Sequence, residues 1–163
     1  MAERSIPVAV AIGGLLGGAL DLLFAVSFAA LQGTAPSRVF EAIASGVLGE
    51  AARGGGHGVS ILGVACHFGL SVVWAACFAT VAWRLPALTR RPLPVSIGFG
   101  LVVFLCMRLV VLPLSAYPHP VSFKPLASGL DLLSHMFLFA MPMVVIAGRA
   151  IRARRTGQPL RRG

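Results

Sequence analysis

The chain has 163 residues, 57% hydrophobic and only 12% charged, with a mean hydropathy of +0.88. Soluble domains carry about twice that charged fraction, and the apolar blocks, at about 18–26 residues, are long enough to cross hydrocarbon, so a soluble globule is excluded and no room is left for a second domain. The formal charge of +9, from 14 Lys and Arg against 5 acids, gathers at the ends of those blocks, which points to phospholipid headgroups and away from nucleic acid.

Four transmembrane helices are expected, over about residues 6–31, 59–83, 93–112 and 126–147, in one domain covering 1–163 with a basic tail at 148–163. The first is too long, and too interrupted by Asp21, for a secretory signal, and is expected to be retained. Its "GGLLGG" places Gly13 and Gly17, and Gly14 and Gly18, as overlapping GxxxG pairs. Small residues let helices approach closely in lipid, so this seam is a packing face, and it leads by threes and fours to Asp21. No Walker-type Lys-Ser/Thr follows the glycines.

The segment "PSRVFEAIASGVLGEAA" carries Val39, Phe40, Ile43, Val47 and Leu48 at helical spacing, with Arg38, Glu41 and Ser45 elsewhere around the barrel. It is expected as an amphipathic helix in the first outward loop, bounded by Pro36 and "RGGGHG". In the second span Ser60, Gly63, His67, Ser71 and Ala75 share one stripe. The third carries Arg108 near its outer end, and "PLSAYPHPVSFKP" after it is too rich in proline for a helix. The fourth contains "SGLDLLSHMF", which puts Asp131 and His135 one turn apart on the stripe of Ser128 and Phe139. Pro142 is expected to kink it. Cys66, Cys77 and Cys106 lie inside apolar segments without a CxxC pair and read as buried thiols.

Arginines flank the N-terminus (Arg4), the second loop (Arg84, Arg90, Arg91) and the tail from Arg149 onward. The other two loops hold only Arg38, Arg53 and Lys124. The positive-inside rule then puts both termini in the cytoplasm of a bacterial inner membrane. Counted from the outer end of each span, Asp21 lies about 15 Å deep, His67 about 12 Å, Asp131 about 8 Å, His135 about 14 Å and Arg108 about 6 Å. Every span contributes at least one of these five, all in the outer half. Isolated charges there cost at least about 2.5–3.5 kcal/mol each, and convergence on a shared polar cavity would reduce that.

The features "LDLLFA", "RVFEAIASGVLGEAA", "LGVACHFGLSVVWAACFATVAWRLPAL", "GFGLVVFLCMRLVVLPLSA" and "HMFLFAMPMVV", in that order, resemble a group of bacterial four-helix inner-membrane proteins, loosely YagU-like, over nearly the whole chain. The matching polar and small landmarks are Asp21, Ser45, Gly46, Gly49, His67, Pro113, Ser115 and His135; Arg108 stands where an amide is expected. The resemblance implies a membrane location and no established activity.

The expected protein is therefore an all-α integral membrane protein of four transmembrane helices. Its polar cluster of Asp21, His67, Arg108, Asp131 and His135 handles a proton, an ion or a small solute from the outer side. Alternatively, the glycine faces (Gly13, Gly14, Gly17, Gly18, Gly63) serve an accessory or assembly subunit, or a homo-oligomer. A third reading has His67 and His135 ligating a metal or haem, although no metal-binding spacing is present and no cofactor is named by the sequence. No nucleophile elbow or HExxH motif supports catalysis.

Overall fold

The computed structural model describes residues 5–157; Arg4, Arg161 and Arg162, which enter the expected orientation, and the rest of the tail beyond Gly157 lie outside the described residues. Among the described residues every regular element is helical: α1 (Ile6–Leu31), α2 (Pro36–Leu48), α3 (Gly56–Arg84), α4 (Pro92–Leu114) and α5 (Pro125–Thr156). The four long helices, of 26, 29, 23 and 32 residues, are each apolar enough to cross a membrane. They run up and down, with α2 and the α4–α5 loop at one end (the capped end) and the α3–α4 connection at the other (the basic end). All but α3 begin with a proline in the first turn, where a missing N–H leaves no hydrogen bond unmade.

The glycine seam on α1 serves two neighbours at once. A Cβ built on Gly14 would lie 2.8 Å from the Val72 Cα, and one on Gly18 would lie 2.6 Å from the Ser71 Oγ, both on α3. A Cβ on Gly13 would lie 3.2 Å from the Met143 Cα, and one on Gly17 would strike the Phe139 carbonyl, both on α5. One GxxxG pair therefore packs on each partner, with backbones in contact. Gly63 meets the backbone of Phe40, so this glycine seats α2 on α3 rather than joining two long helices. Gly100, not singled out from the sequence, does the same for α4 against the backbone of His135 and Met136.

Toward the basic end the bundle is closed by Phe78, Ala79, Ala82, Val144, Ala147 and Ile151, with Phe99 and Val95 packed against them. α5 continues past the expected boundary near Ala147 to Thr156, ending at Gly157 with φ +63°. The extension is held: Arg152 donates to the carbonyl of Thr89, and Arg155 donates to that of Trp83 with its guanidinium 5.0 Å over the indole.

Two expectations are corrected. Ser45 lies on the buried side of α2 beside Ala44, while Val47 and Leu48 are exposed. The reason is close approach: with Gly63 admitting the α2 backbone, small residues fill the contact and large apolar ones are turned away from it. Cys77 is exposed on the outside of α3, and Cys66 and Cys106 are only partly covered, so the thiols are not a buried set. Large apolar side chains are exposed on every long helix, among them Leu15, Leu23, Ile61, Val73, Val102 and Leu133.

Candidate functional site

α4 packs chiefly on α5, and α3 chiefly on α1, α2 and α5. Side chains rather than backbones bridge α3 and α4: Phe99 meets Phe78 at 5.2 Å and Trp74 at 6.3 Å between ring centroids. Above this bridge, toward the capped end, the helices and the α4–α5 loop line a half-open cavity of about 630 Å³ whose lining includes Asp21, His67, Arg108, Asp131 and His135. That volume is in the range of small-molecule sites. All five residues singled out from the sequence therefore face one space.

Level explains which of them touch. Measured from the capped end of each helix, Asp21, His67 and His135 lie about 15–17 Å down, and Arg108 and Asp131 about 9 Å down. The upper pair is an ion pair: Arg108 Nη2 donates to Asp131 Oδ2 at 2.8 Å, and Nη1 donates to the Ser122 carbonyl at 2.7 Å. Phe104 and Phe123 flank the guanidinium at 4.9 and 5.3 Å. His135 connects the levels, its Nδ1 lying 3.3 Å from Asp131 Oδ1 and 3.9 Å from Asp21 Oδ1. The Asp21 oxygen also accepts a 2.6 Å hydrogen bond from Ser134.

Each histidine donates one ring N–H to a backbone carbonyl, His67 across to α1 and His135 within α5. His67 Nε2–H donates to the carbonyl of Gly18 at 2.8 Å, and His135 Nδ1–H donates to that of Asp131 at 2.8 Å. A carbonyl can only accept, so in the neutral ring the lone pair is on Nδ1 of His67 and on Nε2 of His135. Gly18 is thus both a packing glycine and the anchor that ties His67 to α1. Ser71, one turn on, closes the contact by donating to the His67 carbonyl at 2.7 Å. Among the described residues no three His, Cys, Asp or Glu side chains lie close enough together to hold a metal ion.

Of the three long helices that carry the charged network, α4 and α5 open into a π-helical turn at the site, at Met107–Val111 and at His135–Ala140. Each turn ends two residues before a proline, Pro113 or Pro142. Proline removes a backbone donor and crowds the carbonyl four residues back, and a wider turn relieves both. The kink anticipated at Pro142 is in this sense a π turn, and it begins at His135 itself. Ser134 is not on the stripe drawn from the sequence because that stripe steps from Asp131 to His135 by four; the i+3 position shares the same helical face.

The roof comes from the cap. The Ala116 N–H donates to the Gly46 carbonyl at 2.9 Å, which fastens the α4–α5 loop to α2. His119, exposed on the α4–α5 loop, lies 3.4 Å from an Arg53 nitrogen and edge-on to Tyr117 at 5.6 Å. No protein-family model, curated protein or solved structure matches the chain.

Proposed function

We propose that the chain is a multi-pass inner-membrane protein, both termini cytoplasmic, whose outward-facing cavity binds a small solute and exchanges a proton with it through His135. One observation carries this reading: an ionisable network drawn from α1, α4 and α5, with His67 of α3 beside it, lines a cavity inside a bundle whose exterior is apolar. Structural cross-linking of helices needs no such space, and charges held in lipid without a task are rare. The Phe78–Phe99 bridge and the core below it favour a dead-ended binding site over an open pore. His135 Nε2 can take a proton, giving an imidazolium flanked by Asp131 and Asp21.

The natural cysteines supply the test. Cys66 lines the cavity, whereas Cys77 lies on the apolar exterior. In right-side-out vesicles, a charged methanethiosulfonate reagent added outside is expected to label a variant keeping only Cys66, and not one keeping only Cys77. An unreactive Cys66 would show that the cavity is closed to the outside, and the reading would fall.

A further inference from the structure

The cavity lies among four long helices, and three of the seams between them are shut by backbone contact. Gly14 brings α1 against the Val72 backbone of α3, Gly17 brings it against the Phe139 carbonyl of α5, and Gly100 sets α4 on the backbone of His135 and Met136. Polar bonds tie the same pairs at the level of the network: His67 to Gly18, Ser134 to Asp21, and Arg108 to Asp131. No glycine joins α3 to α4 in this way. Those two helices meet through the rings of Phe78, Phe99 and Trp74, of which Phe99 and Trp74 lie about 23–27 Å from the capped end.

The top of this fourth seam is spanned by α2. Gly63, about 10 Å down α3, seats the backbone of Phe40. The other end of α2 is fastened to the chain just beyond α4 by the Ala116–Gly46 hydrogen bond of 2.9 Å. α2 is therefore a lintel, and between it and the aromatic floor a slot about 15 Å tall separates α3 from α4. Cys66 and Leu70 on α3 and Met107 on α4 line the cavity at these levels, and none of the three is fully buried. The outer surfaces of both helices are apolar, with Val73, Val102 and Leu105 exposed. At that depth a gap between spanning helices faces hydrocarbon, not water. The charged groups sit across the cavity from it, on α1 and α5, while the capped surface is reached separately, where Ser122 and Lys124 line the cavity and are exposed.

Resting on the solute-binding reading above, we infer that the solute is a single-chain amphiphile of the outer leaflet, its small polar end at the network and its hydrocarbon chain leaving between α3 and α4 into the bilayer. In the slot a chain replaces lipid without burying a polar atom, and the lintel bars a bulky headgroup. Dodecanol and the dodecanediol that carries a hydroxyl at each end test this. In right-side-out vesicles of the variant keeping only Cys66, labelling by the external charged methanethiosulfonate is followed against the amount of each probe in the membrane. Dodecanol is expected to slow labelling saturably. The diol would leave its second hydroxyl in hydrocarbon and should need at least about ten times the membrane content. Leu70→Trp fills the slot from α3 and Met107→Trp from α4; each should abolish the dodecanol effect while Cys66 still labels. If one variant does not fold the other decides, and if neither folds the diol comparison decides. Ser37→Cys as the only thiol, exposed on α2 outside the cavity lining, should label at an unchanged rate.

Equal potency of the two probes would overturn the inference, as would a dodecanol effect shared by Ser37→Cys or one that persists in a folded tryptophan variant. If dodecanol fails to protect a Cys66 that is otherwise labelled, the solute class is wrong and the open cavity stands. If Cys66 is unlabelled without any probe, the cavity reading itself has failed and this inference goes with it.

Discussion

Gly14→Ala tests the close contact on which the site is hung. The new Cβ would lie 2.8 Å from the Val72 Cα and 3.1 Å from the Ser71 carbonyl, both backbone atoms that cannot swing away. Carbon–carbon contact is comfortable at about 3.8 Å, so α1 and α3 must part by about 1 Å. One turn along, the His67–Gly18 hydrogen bond, now 2.8 Å, would stretch beyond bonding range. That bond is worth about 1 kcal/mol, and forced separation of a packed interface adds about 1–3 kcal/mol. The better helix propensity of alanine returns about 1 kcal/mol. The net expectation is destabilisation by about 1–3 kcal/mol, with a looser cavity wall. Gly69→Ala on α3 is the control: nothing lies within 4 Å of its built Cβ, so it should gain about 0.5–1 kcal/mol. Reversible unfolding in mixed micelles by denaturing detergent, followed by tryptophan fluorescence, measures both. If Gly14→Ala is as stable as Gly69→Ala, α1 and α3 are not in backbone contact there and the geometry of His67 is wrong.

Other outcomes follow from the same contacts. In a double-mutant cycle, Arg108→Met and Asp131→Leu should couple by about 1–2 kcal/mol, below the 3–5 kcal/mol typical of a broken buried pair, because the side chains are 20% and 34% exposed and partly screened; strict additivity in the same unfolding assay would mean the pair does not form. Ser134→Ala removes the donor to Asp21 and is expected to cost about 1–3 kcal/mol, with an unchanged midpoint as the contrary result. Pro142→Ala restores a backbone donor and removes the crowding that accompanies the π turn at His135–Ala140. It should raise stability yet slow the labelling of Cys66, since His135 is re-aimed; faster labelling would contradict that link.

The chain itself determined the helices and much of the inward face. Apolar runs of spanning length, proline at the helix starts and small residues at three- and four-residue spacing are local features, legible without a neighbour. That is why Gly13, Gly14, Gly17, Gly18 and the stripes bearing Asp21, His67, Asp131 and His135 could be read directly. The partners were decided by tertiary structure. Which neighbour each glycine meets, that Arg108 chooses Asp131 over Asp21, and that Ser134 holds Asp21 all depend on the level and rotation of one helix against another. A period of 3.6 fixes rotation only while the helix stays α, and the π turns before Pro113 and Pro142 change it at the residues that matter most. Ser45 and Cys77 were misplaced for a related reason: composition says how apolar a residue's surroundings should be, while the contact between two particular backbones says which side of the helix is covered.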